Sequence, residues 1–176
     1  IVPKSVRIRS LKEIEHFDEI PEEADSLEGN AFQKADTIYR KYGHACFADD
    51  TGLEVDALGG DPGVYSARYA GPGCSYEDNV KKLLKDLHNI SNRRAQFRTV
   101  ICLIIDGKPH YFEGTVKGWI AEIPAGKGGF GYDPVFVPQG YSDSFAEMQP
   151  ALKNNISHRA HAVNKLAIFL NNYLNK

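Results

Sequence analysis

An Asp-Gly pair at positions 106 and 107 is flanked on both sides by runs of Val, Ile, Thr and aromatic residues. Asp-Gly supplies the two positive-φ positions of a tight hairpin, and β-branched and aromatic residues suit a pleated, half-buried surface. The pattern predicts strands over Phe97–Asp106, Lys108–Glu113 and Thr115–Ile123, an antiparallel centre around which the other elements must be arranged. A short strand is expected at Val135–Val137, and another at Ala45–Ala48, read as buried and ending on Asp49-Asp50. A strand-like stretch also runs from Ser5 to Ser10.

Between these runs the hydrophobic period lengthens. Ala31, Ala35, Ile38 and Tyr42 recur at helical spacing in Ser26–Tyr42, which stops before Gly43. Ser75 with Asp78 three places on forms a capping-box variant, and Val80, Leu83, Leu84 and Leu87 give that helix an apolar face. From Ser157 the tail reads as an amphipathic helix with Val163, Leu166, Leu170, Tyr173 and Leu174 on one side. Interleaved helices and strands, joined by glycine-rich stretches at 59–73 and 126–131, describe an α/β or α+β domain with loops where ligands can sit.

Composition narrows the function. With 176 residues, one domain with a sizeable core is expected, burying roughly 70% of the unfolded surface. The longest apolar run, Val100–Ile105, is far short of the ~18 residues of a membrane span. A net charge of −2 offers no basic excess for sequence-independent nucleic-acid binding. The three cysteines, Cys46, Cys74 and Cys102, are odd in number and lack C-x-x-C spacing, which fits a reducing, cytoplasmic setting.

Three segments could carry chemistry. Asp49 and Asp50 adjoin at a strand end, so their carboxylates point apart and cannot share a proton; they suit a divided task, with one oxygen ligand for Mg²⁺ and one group orienting it or activating water. An Asp-rich turn is the plain alternative. Gly126, Gly128 and Gly131 formally match G-x-G-x-x-G, but Pro134 and a strand follow instead of a helix, so no helix start faces a pyrophosphate. That run instead offers bare amides beside Phe130, a place for a flat heterocycle, or simply a glycine-rich hairpin with a core Phe. Lys153, His158 and Arg159 cluster around the Ser157 helix start, where cations oppose the helix dipole, and so point to an acceptor-rich neighbour.

Taken in order, Ala48-Asp49-Asp50-Thr51-Gly52-Leu53, Leu58 through Tyr69, Gly128 through Pro134 and Ile156-Ser157-His158-Arg159 resemble the inosine/xanthosine triphosphate pyrophosphatase family, from about Ser10 to the C-terminus. The resemblance implies an elongated α/β fold with a long mixed sheet, flanking helices, two lobes around a central cleft, and a homodimer. It implies Asp50 as the catalytic carboxylate, a general base toward water or a Mg²⁺ ligand, with Asp49 beside it and Glu28 as a further ligand. Thr51, Lys34, Lys153, His158, Arg159 and the Phe130, Gly131, Tyr132, Asp133 segment become substrate contacts. The implied reaction converts non-standard purine nucleoside triphosphates to monophosphate and pyrophosphate. Related readings are a pyrimidine-directed enzyme of similar architecture and a nucleotide-binding module without turnover. Two departures stand out. No [ST]-x-N-x-x-K loop lies between Ile1 and Asp25, so residues 1–176 are expected to form one domain lacking the family's first strand and phosphate-binding loop. The family's Glu-Asn-Ala reads Gly29-Asn30-Ala31, which moves the acid one place back to Glu28.

Overall fold

The structure, a computed structural model, describes residues 6–175. Strand β1 (Cys46–Val55), the two-residue β2 (Pro62–Gly63), β3 (Arg94–Ile105), β4 (Lys108–Ile120) and β5 (Phe136–Pro138) form one sheet in the order β2-β1-β3-β4-β5. Asp106 at φ 49° and Gly107 at φ 72° make the β3–β4 turn as the Asp-Gly pair requires. Every ladder is antiparallel, so within the described residues the sheet is not the mixed one the resemblance implied. The reason is connectivity: β1 turns back as β2, and the chain then passes through α2 (Tyr76–Asp86) to lay β3 antiparallel along the whole of β1.

Helix α1 (Leu27–Tyr42) starts at Ser26, whose hydroxyl accepts the Gly29 N–H, and ends at Gly43 with φ 67°. Its Leu27, Ala31 and Ala35 pack on Val100, Cys102 and Ile104 on one face of the sheet. Helix α4 (His158–Leu174) covers the other face, with Ala162, Leu166 and Leu170 on Ile101, Leu103 and Phe112. Further along that second face, Leu53, Val55 and Phe97 join Val80, Leu83 and Leu87 of α2 and Phe136 and Phe145 in a separate cluster. The two clusters part at Thr51 and Thr99, whose hydroxyls pair at 2.7 Å. There the apolar face is interrupted, and a cleft opens.

Several segments differ from what the sequence pattern predicts. The run Ala45–Ala48 neither ends at the acids nor is buried: β1 continues through Asp49, Asp50 and Thr51, because β3 offers it a partner at every position, and Phe47 is exposed. Lys108–Glu113 and Thr115–Ile123 are a single strand that stops at Ile120. Gly114 does not break it but admits α4, since a Cβ there would collide with the His158 carbonyl and lie 2.5 Å from the Ala162 nitrogen. Close approach of helix to strand is thus what sets the start of α4 over the sheet. The Val135–Val137 strand forms one residue later, as β5. Leu174 is exposed, because β4 no longer runs beneath the last turn of α4. Helix α3 (Pro150–Ile156) had no apolar period to announce it. It begins on a proline, buries no residue and passes through Ser157 directly into α4. Residues 6–10 form no strand; Ser10 instead binds Glu13 in a short turn, and Ser5 lies outside the described residues.

Candidate active site

Alternation along β1 sends its two adjacent acids to opposite faces of the sheet. Asp50 pairs in register with Val100 on the α1 side, and Asp49 with Ile101 on the α4 side. Asp50 accepts hydrogen bonds from Asn30 Nδ2 at 3.2 Å and Lys34 Nζ at 3.1 Å. Asn30 and Lys34 stand one helical turn apart on α1, so both reach the same carboxylate. Lys34 also reaches Glu22 Oε1 at 2.7 Å, making it a bridge between two acids. Burial pushes the Asp50 carboxyl above its ordinary range, which Lys34 and Asn30 only partly offset. Burial alone would lower Lys34, but Glu22 and Asp50 win and raise it, so it stays cationic.

On the other face, Asp49 Oδ2 accepts from Arg159 Nη2 at 2.9 Å and Nε at 3.2 Å. The same Nη2 reaches Thr51 Oγ1 at 3.2 Å. Asp49 therefore orients a guanidinium, while the two donors on Arg159 Nη1 stay uncommitted. His158, the first residue of α4, stacks on Phe97 with centroids 4.6 Å apart and planes 19° from parallel. The residue is 6% exposed, and its Nδ1 has no hydrogen-bond partner. A buried polar atom left unpaired is costly, which suggests a ligand group for it to meet.

The aromatic end is built by Asp133, 3% exposed, which accepts the Phe130 N–H at 2.7 Å and the Lys153 ammonium on the same oxygen. Lys153 also lies 5.1 Å from the Phe130 ring centroid. Gly129, at φ 72°, leaves no space for a side chain against Asp133, so this loop needs its glycine. Tyr132 is buried, and its hydroxyl donates to the Ser66 carbonyl at 3.0 Å, which ties the 59–73 stretch to the loop. Burial pushes the Tyr132 phenol well above its ordinary value, so it remains a neutral donor.

All these features face one cleft of 670 Å³, within the range of small-molecule sites. It brings together Asp49, Asp50, Thr51, Lys34, Phe130, Gly131, Tyr132, Asp133, Lys153, His158 and Arg159. Glu28 does not join them: Arg98 takes its carboxylate at 2.6 Å, and those hydrogen bonds hold its pKa below the ordinary range. The same guanidinium is shared with Glu54 and Glu113. Among the described residues no group of three or more His, Cys, Asp or Glu is gathered as a metal site. Sequence reasoning passed over Glu22 and Tyr76 in the cleft lining, and Asn30 behind Asp50. Asn30 was discoverable from its spacing to Lys34, whereas Glu22 and Tyr76 belong to no periodic pattern.

Desolvation pushes the His158 pKa down to about 3, with Arg159 and Lys153 adding like charge. The unfolded chain takes up this proton below about pH 6.5 and the folded chain does not. The resulting stability is complete above that pH and drains away as pH falls toward 3. Between pH 8 and pH 5 His158 is expected to remove about 2 kcal/mol. Urea unfolding at the two values should show that loss in the native protein and a loss smaller by that amount in His158→Phe; equal losses would contradict it.

Fold and cleft together define an α/β domain with an acidic end and an aromatic, donor-bearing end in one cleft. The chain belongs to the Ham1 family, whose model matches residues 1–169. It is 54% identical over 166 residues to the dITP/XTP pyrophosphatase of Flavobacterium johnsoniae, covering 94% of this chain and 86% of that protein. It is also 54% identical over 171 residues to the dITP/XTP pyrophosphatase of Porphyromonas gingivalis, covering 97% and 88%. Its fold matches the structure of the Staphylococcus aureus Ham1 protein with a TM-score of 0.87 at 42% identity, over 93% of this chain and 85% of the other.

Proposed function

We propose that this chain is a nucleoside triphosphate pyrophosphatase that hydrolyses inosine, deoxyinosine and xanthosine triphosphates to the monophosphate and pyrophosphate. The relatives' names support the substrate class. The observation that carries the reading is that one cleft joins a half-buried acid–lysine pair to an aromatic slot with uncommitted donors. Hydrolysis at the α-phosphorus needs an activated water, neutralisation of about four negative charges, and a fixed geometry. Asp50, its basicity raised by burial, accepts the proton of the attacking water. Lys34 exchanges its carboxylate partners for phosphate oxygens, Thr51 offers a hydroxyl near the sugar-phosphate, and Asp49 keeps Arg159 aimed at the base.

Mg²⁺ is the proposed cofactor. It binds readily through one or two carboxylates, with phosphate oxygens and waters completing its shell. Asp50 fits that role, being half-buried, open to the cleft and under-compensated in charge. Bound there, the ion would supply charge neutralisation at the phosphates. Glu28, the other ligand the resemblance implied, would first have to leave Arg98.

Pyrophosphate release from a nucleotide panel tests the reading. Fast release from inosine and xanthosine triphosphates supports it; thymidine or uridine triphosphate as best substrate, or inosine triphosphate binding without turnover, would replace it. We also propose a cytoplasmic homodimer formed by a single pyrophosphatase domain, with no nucleic-acid or membrane partner. Among the described residues no helix is long and apolar enough to cross a membrane. Ile123 and Ile168, 76% and 61% exposed, are apolar side chains that a second copy could cover. Light scattering should give twice the chain mass; a monomer at micromolar concentration would rule this out.

A further inference from the structure

Tyr76 lines the cleft without a role in any step above. It opens α2, where the reciprocal Ser75–Asp78 capping box fixes the helix start and Val80 and Leu83 anchor it in the core. Its backbone is thus firmly placed, yet the residue is 59% exposed. Phe130, on the glycine-rich loop, is 57% exposed beside it. The two large aromatics stand side by side and both line the cleft. Their centroids are 6.4 Å apart and their planes tilted by 47°, so they are neither stacked nor edge-on. A flat heterocycle held between two parallel rings needs about 7 Å, twice the carbon contact distance. The pair is within an ångström of that spacing, and a tyrosine has only two side-chain torsions to adjust.

We propose that Tyr76 is a second wall of the base subsite, closing with Phe130 on the nucleobase; this rests on the nucleotide reading of the cleft. Stacking is indifferent to base identity, because every base has a π-face. Tyr76 therefore contributes affinity, while selection stays with the hydrogen-bonding groups Arg159 and His158.

The test is Tyr76→Ala beside Tyr76→Phe. In Tyr76→Ala the KM for inosine triphosphate should rise at least about fivefold, the lower end of the cost of losing one base–aromatic stack. The fall in kcat should be smaller than that rise, and the ratio of inosine to adenosine triphosphate turnover should hold. Calorimetry should show inosine monophosphate binding weakened by a similar factor and binding of pyrophosphate, which has no base, unchanged. Tyr76→Phe, which keeps the ring, should behave as the native protein. Unchanged inosine monophosphate binding in Tyr76→Ala would overturn the proposal, as would equal weakening of both ligands, which signals a general disturbance of the cleft. Should the native protein fail to hydrolyse inosine triphosphate, the functional reading falls, while the calorimetric comparison still decides the role of Tyr76.

Discussion

Asp50→Asn is expected to lower kcat at least ~10²-fold, the usual size of a general-base contribution, with a much smaller change in KM. The side chain keeps its shape but can no longer take a proton from water or offer a full charge to a cation. Stability should not follow activity. Burial already disfavours the ionised Asp50, and Lys34 keeps Glu22 as a partner once that charge is gone. Thermal unfolding of Asp50→Asn is therefore expected to stay close to that of the native protein. A variant with native kcat would remove Asp50 from the chemistry, whereas a large drop in melting temperature would assign it to the framework instead.

The second large effect is discrimination between bases. Hypoxanthine and xanthine carry an acceptor oxygen at position 6, where adenine carries an amino donor. Arg159 has only donors, and Asp49 holds it so that two of them remain free. Adenine would set donor against donor in a partly desolvated site. A site built for one hydrogen-bonding pattern can reject the wrong one by ~10⁴-fold, and kcat/KM for inosine over adenosine triphosphate should approach that ratio. Asp49→Asn should erode the ratio more than it lowers kcat for inosine triphosphate, because Asp49 Oδ2 holds Arg159 through two hydrogen bonds. Comparable turnover of the two substrates by the native protein would sink this account of selection.

Much of this was readable residue by residue. The Asp106-Gly107 turn, the Ser26, Ser75 and Ser157 caps and the Gly43 stop depend on neighbours a few places away, and all appear where local chemistry puts them. The acid pair and the Phe130 loop announced themselves in the same way, as dense polar or glycine-rich runs. Strand limits were less legible. The extension of β1 past Asp49 is decided by Ile101 and its neighbours in β3, and the continuity of β4 through Gly114 by its pairing with Thr99, not by the run itself. Glu28 illustrates the same limit at the site: the resemblance implied a shared task with Asp50, but Arg98, seventy positions along, claims its charge.

Short-range rules thus account for which segments become helix, strand or turn, and for which residue types are available for chemistry. They extend to the opposed directions of Asp49 and Asp50, since strand alternation needs no distant contact. Only packing decided which partners those carboxylates meet. Asp50 faces Lys34 because α1 lies on one side of the sheet, and Asp49 faces Arg159 because Gly114 lets α4 settle close on the other. Burial, and with it the raised pKa of Asp50 and the depressed pKa of His158, belongs to the assembled core, because desolvation depends on everything that surrounds a group and not on its neighbours in the chain.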